Sequence, residues 1–138
     1  SRGLRNLGNT CFMASALQCL ANVAPLREYF LTSKYKESLD GKVADGFAEL
    51  LKELWTAPGE ATSVAPWSFK DIVDAATERF RGSQQQDAME FIEFLLDALK
   101  EDCNRVKGKK LYTERPDAGG RRDDEVALEA SKLYLLVF

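Results

Sequence analysis

The sequence has 138 residues, 45% of them apolar, enough for one domain with a buried core. Its 19 basic and 22 acidic side chains are intermixed and sum to −3, so no basic stripe awaits a phosphate backbone and nucleic acid is not an expected partner. No apolar run approaches the ~20 residues of a membrane helix, and residues 1–8 lack the basic and apolar blocks of a signal peptide. The expectation is a soluble intracellular chain, cytoplasmic or nuclear, with no membrane partner.

The cysteines, Cys11, Cys19 and Cys103, are odd in number and lack CxxC spacing, which argues against a disulfide framework. With no histidine in the chain, zinc would have too few ligands, and neither a metal nor a cofactor is expected. The missing histidine bears on catalysis as well. A cysteine or serine nucleophile needs a general base, which here has to come from outside the sequence.

Taken in chain order, Cys11 to Ala21 is almost wholly apolar and predicts a helix buried on nearly all sides, with Asn9 and Thr10 as caps and Pro25 closing the run. A second helix is expected around Leu26 to Tyr35. Phe47, Leu50, Leu51, Leu54 and Trp55 make the stripe of a third, ended by Pro58-Gly59. Ser68 and Asp71 resemble a capping arrangement for a fourth, with Phe69, Ile72, Val73, Ala76 and Phe80 as its inner face and Gly82 after its end. Ser83 and Gln86 fit a capping box ahead of a fifth, whose broad apolar face is Phe91, Ile92, Leu95, Leu96 and Leu99. Residues 107–125 are charged, hold Pro116 and Gly119-Gly120, and read as an exposed connection. Val126 to Leu136 reads as a last short helix. No strand of convincing length is visible, so the fold class is mainly α.

Cys11 falls at a predicted helix start, where free backbone N–H groups and the helix dipole favour negative charge by ~0.3 to 1 kcal/mol. Taken alone, it reads more readily as a small buried hydrophobe, as Cys19 and Cys103 are expected to be. The surrounding residues decide between the two. Residues 3–20, GLRNLGNTCFMASALQCL, resemble the Cys box of the ubiquitin-specific proteases, and residues 84–99, QQQDAMEFIEFLLDAL, resemble the family's next box. APLREYF at 24–30 and EDCNRVK at 101–107 are similar to the subgroup that carries DUSP and ubiquitin-like domains elsewhere.

That resemblance implies the helical thumb of a papain-like cysteine protease over residues 1–106, with 107–125 as connection and 126–138 as the last helix. The palm and fingers are absent from this chain. It implies a thiol-dependent deubiquitinase, represented by its nucleophile-bearing half, that hydrolyses the isopeptide bond after ubiquitin's C-terminal Gly. Cys11 takes the position of the nucleophile and Asn6 that of the oxyanion-holding amide. Gln85, Asp87 and Glu90 take positions along the channel for ubiquitin's basic tail, where carboxylates make charge-assisted bonds to arginine. Ubiquitin and ubiquitinated proteins are the implied partners, and a thumb without its palm leaves an apolar inner face open to self-association.

Each assignment has a plainer rival. Asn6 could serve only as a turn residue, and Asp87 with Glu90 could serve only the positive end of their helix. Ala14 departs from the family, which usually has Asn there. The finger cysteines, the His box and the acidic partner of that His are missing. The rival for the chain as a whole is a non-catalytic ubiquitin-binding or scaffolding module.

Overall fold

The computed structural model describes residues 1–33, 35, 41–56, 62–104, 122 and 124–128. The chain divides into two compact units, Ser1–Cys103 and Asn104–Phe138. In the second, residues 124–128 are helical. Most of the expected connection at 107–125, the remainder of the expected last helix to Leu136, and the Pro58-Gly59 stop lie outside the described residues.

Among its described residues the first unit has five α-helices and one small parallel strand pair: β1 (Gly3–Leu4), α1 (Cys11–Ala21), α2 (Ala24–Leu31), α3 (Lys42–Trp55), β2 (Ser63–Val64), α4 (Trp67–Ala76) and α5 (Ala88–Asp102). The strand pair was not expected from the sequence. Gly3 pairs with Ser63 and Leu4 with Val64, an element two residues long with no alternation to detect. Its effect is to fix the chain just before the Cys11 loop, and Gln18 on α1 adds a bond from Nε2 to the Arg2 carbonyl at 3.0 Å.

Helix α3 lies at the centre, packed against α2, α4 and α5. The reason is in its sequence: Val43, Ala44, Phe47, Ala48, Leu50, Leu51 and Leu54 are all buried, a stripe wide enough to meet neighbours on several sides. Gly46 lets α4 approach, since a Cβ there would stand 2.4 Å from Ile72 Cδ1. Two aromatic groups fill the interior. Phe30 meets Tyr35 and Phe47 with ring centres 5.0 and 5.1 Å apart. Phe12, Phe80 and Phe91 form the second group, with centres 5.2 to 5.9 Å apart. The second group ties the residue after Cys11 to α5.

Several sequence expectations need correcting. Pro25 does not end α1 but sits in the first turn of α2, where a missing N–H costs nothing, and α2 stops at Leu31. Helix α4 begins at Trp67 after Pro66, so Ser68 is inside it rather than at its cap, and no side chain caps it. It ends at Ala76, which is exposed, so Phe80 reaches the core from the following loop instead of from the helix. That loop is held by Lys70, an almost fully buried lysine whose ammonium donates to both oxygens of Asp74 and, at 3.2 Å, to the Phe80 carbonyl.

Helix α5 is not capped by Ser83 and Gln86 either. Asp87 is its N-cap, its Oδ1 accepting from Met89 N at 2.7 Å and Glu90 N at 3.0 Å. On the apolar face, Phe91, Leu95 and Leu99 are buried, whereas Leu96 is 43% exposed. At the other end, Asp102 caps a different helix. Its Oδ2 accepts from Val43 N and Ala44 N, both at 2.9 Å, at the start of α3. Gly41 makes room for it, because a Cβ there would lie 2.2 Å from Asp102 Cβ.

Tyr35 gives the fold an alkaline limit. Burial first, and then the bond its hydroxyl donates to Asp45 Oδ1 at 3.0 Å, push its phenol from 10.0 up to about 12. The fold therefore favours the neutral phenol. This stabilisation is complete below pH 10 and is lost as pH rises through about 12. Denaturant midpoints of the wild type are expected to fall more steeply across that window than those of Tyr35→Phe, which has no phenol to ionise. Parallel slopes for the two proteins would contradict the assignment.

Candidate active site

The loop from Asn6 to Thr10 is shaped by its own side chains. Asn6 Oδ1 accepts from Gly8 N at 3.0 Å, from Thr10 N at 3.1 Å and from the Thr10 hydroxyl at 3.1 Å. The Thr10 hydroxyl in turn accepts from Leu7 N at 2.9 Å. Gly8 and Asn9 both have positive φ, 105° and 52°, a backbone that glycine adopts freely and asparagine tolerates better than most residues. Thr10 is thus the residue before α1, as expected, but its hydroxyl turns back into the loop and caps nothing.

With three donors on Asn6 Oδ1, the side-chain orientation is determined: the carbonyl faces the loop and the Nδ2 amide faces away from it. Two of those donors are backbone N–H groups, which can bond only to an oxygen. Asn6 therefore serves the turn with only one end of its side chain. Its oxygen builds the turn, and its NH₂ remains as a donor that no described group occupies.

Cys11 is the first residue of α1 and is exposed. The helix start beside it carries no side-chain cap and no acidic residue in its first turn. Its leading N–H groups therefore have no side-chain acceptor, unlike those of α5 and α3, which Asp87 and Asp102 occupy. The other cysteines differ. Cys19, expected to be buried, is exposed: residues 11, 15 and 19 follow one another up the outer face of α1, so this helix is not buried on nearly all sides. Cys103 is half-buried, and burial pushes its thiol up, with the Tyr29 hydrogen bond acting the other way. Among the described residues no cluster of His, Cys, Asp or Glu could hold a metal ion.

The second group of candidates lies on the way into α5. Asn9 Nδ2 donates to the Ser83 carbonyl at 2.8 Å, joining the Cys11 loop to a segment 74 residues later. Gln85, two residues on, is exposed. Asp87 is engaged through Oδ1 in the helix cap, and Glu90 is paired at 2.7 Å with Arg79, both side chains being about half exposed. Sequence reasoning offers Asn9 and Ser83 only as helix caps and does not single out Arg79. The Gly-Asn step signals a positive-φ turn, but nothing local reveals a partner 74 positions away.

A helix start offering an exposed thiol, with an asparagine amide five residues before it, defines a candidate cysteine-hydrolase site. The sequence profile described as "Ubiquitin carboxyl-terminal hydrolase" matches residues 2–131. Over 136 residues the chain is 52% identical to ubiquitin carboxyl-terminal hydrolase 4 of Mus musculus, covering 93% of this chain and 14% of that protein. It is 48% identical over 141 residues to ubiquitin carboxyl-terminal hydrolase 15 of Homo sapiens, covering 96% of this chain and 14% of that protein. The chain belongs to the ubiquitin carboxyl-terminal hydrolase family, as a fragment of a ubiquitin-specific protease catalytic domain. It spans 14% of the length of these relatives. No helix among the described residues is long and apolar enough to cross a membrane.

Proposed function

We propose that this chain is the nucleophile-bearing thumb of a thiol-dependent deubiquitinase that cleaves after the C-terminal Gly of ubiquitin. The observation that carries the reading is Cys11: an exposed thiol on an uncapped helix start, inside the family's matched region. The thiolate attacks the carbonyl carbon of ubiquitin's last Gly and its oxygen becomes an oxyanion, whose collapse breaks the C–N bond, releases the amine and leaves a thioester on Cys11 that water then hydrolyses. The N–H groups at the start of α1 and Asn6 Nδ2 are donors suited to that charge. The base that deprotonates Cys11 and the acid that protonates the leaving amine come from a histidine outside this sequence, so the chain alone is inactive.

Ubiquitin's tail is basic, and Gln85, Asp87 and Glu90 are its proposed contacts. The geometry divides their roles. Asp87 already serves α5, with Oδ2 left over, whereas Glu90 offers a tail arginine a carboxylate now neutralised by Arg79. Replacing Glu90 with Gln should weaken ubiquitin binding at low salt, and the deficit should narrow as ionic strength rises, because exposed pairs are screened over ~8 Å at physiological salt. Asp87→Ala should lower the melting temperature as well, by loss of a cap worth ~0.5 to 2 kcal/mol. Wild-type affinity in Glu90→Gln at every salt concentration would remove Glu90 from the tail contacts.

A non-catalytic ubiquitin-binding module remains the rival. Covalent capture of Cys11 by a ubiquitin bearing a C-terminal electrophile favours the enzyme. Reversible binding without capture favours the module.

A further inference from the structure

We infer that Asn9 is a positioning residue, whose amide holds the nucleophile loop in register with the segment that leads into α5. The inference rests on the reading of Cys11 as nucleophile and of residues 85–90 as tail contacts.

Three observations carry it. First, the loop does not need Asn9 for its own shape, because Asn6 and Thr10 already close it through four hydrogen bonds of 2.9 to 3.1 Å. Second, the side chain of Asn9 leaves the loop and donates to the Ser83 carbonyl at 2.8 Å, between segments 74 residues apart in sequence. Asn9 holds φ at 52° to do so, a conformation that glycine would accept more easily if the turn alone mattered. Third, the segment that it grips is itself fixed. Lys70 holds the Phe80 carbonyl, Arg81 Nε donates to the Asp74 carbonyl at 2.7 Å, and Arg79 pairs with Glu90. Phe80 stacks on Phe12, the residue next to Cys11.

A bond from a mobile loop to a mobile loop would position nothing. Here a braced segment carries Gln85, Asp87 and Glu90 on one side of the bond, and the other side carries Cys11. A tail held by the first must present its terminal carbonyl to the second. A small shift between the two misplaces the carbonyl without changing the thiol.

The test compares wild type with Asn9→Gly, which keeps the backbone conformation, and Asn9→Asp, which keeps shape and φ but removes the donor. Each variant is measured in an enzyme that joins this chain to a histidine-bearing segment, for capture by ubiquitin bearing a C-terminal electrophile, for Cys11 alkylation by iodoacetamide read by peptide mass, for amide exchange over 81–87, and for melting. In both variants exchange over 81–87 should quicken and capture should slow by roughly 10- to 100-fold, the scale on which small misplacements act. Alkylation and melting should stay near wild type. Wild-type capture by Asn9→Asp overturns the inference, and so does unchanged exchange. Alkylation slowed as much as capture also overturns it, since Asn9 would then act only on the turn of Cys11. If wild type is captured at Cys19, at Cys103 or at no cysteine, the reading of Cys11 fails, and exchange over 81–87 still decides the bond on its own.

Discussion

In an enzyme that joins this chain to a histidine-bearing segment, Cys11→Ser should abolish the proposed hydrolysis at the ubiquitin C-terminus while the unfolding transition stays in place. The thiol is exposed and no described group bonds to it, so an oxygen in its place costs the fold nothing. The proposed chemistry would lose its nucleophile, because an alkoxide is far harder to form than a thiolate. Cys19→Ser leaves activity intact and, because Cys19 proves to be exposed, leaves stability intact too. On the proposed reading, the 138-residue chain, which holds no histidine, should show no useful turnover by itself, since a positioned general acid–base contributes ~10²- to 10⁴-fold. Steady-state cleavage of a ubiquitin C-terminal amide checks all three statements. Activity that follows Cys19 or Cys103, or turnover by the chain alone that vanishes in Cys11→Ala, contradicts the assignment.

Substitution at Asn6 separates structure from catalysis, provided that the right variant is used. Asn6→Ala removes both ends of the side chain, so the loop loses three hydrogen bonds and the site loses a donor. Its effect is ambiguous. Asn6→Asp keeps an oxygen for Gly8 N, Thr10 N and the Thr10 hydroxyl, and it replaces only the NH₂ that faces away. A single oxyanion donor is worth ~10²- to 10³-fold in kcat. Asn6→Asp should therefore lose at least that factor in kcat with an unchanged melting temperature, and KM should move little, because the donor acts mainly in the transition state. A raised KM with kcat intact would instead make Asn6 a residue of the turn alone.

The sequence already separates the elements whose signal is local from those whose signal is not. The 11 residues of α1 and the body of α3 follow from apolar runs and stripes that end at polar or special residues. Cys11 at a helix start follows in the same way. What escaped detection is what depends on distant partners. Ser83 looks like a cap because Gln86 follows at the right spacing, yet Asp87 wins, since a carboxylate that accepts from two N–H groups suits a positive helix end better than a hydroxyl does. Phe80 keeps the helical phase of α4 although the helix has already ended, so periodicity alone extended the element too far. Cys19 was placed inside because cysteine commonly is, and only packing reveals that its side of α1 faces outward. The ion pair of Arg79 with Glu90 and the bond from Asn9 to Ser83 join segments that share no local pattern.

Helix α5 carries an aspartate at each end with a different client: Asp87 serves α5 itself, and Asp102 serves the first turn of α3. That arrangement makes the length of α5 a specification rather than an accident. Each residue advances a helix by about 1.5 Å and rotates it by about 100°. Removing one residue anywhere between the two ends would swing Asp102 away from Val43 and Ala44, or drag Asp87 out of step with the entrance of the helix. Gly41 narrows the tolerance further, because the aspartate occupies the space of its missing side chain. Point substitutions on the exposed side of α5 leave that interval unchanged, whereas a change in residue count breaks the phase of the whole rod. The helix works as a gauge block, keeping a fixed interval between the segment that faces the Cys11 loop and the beginning of the central helix.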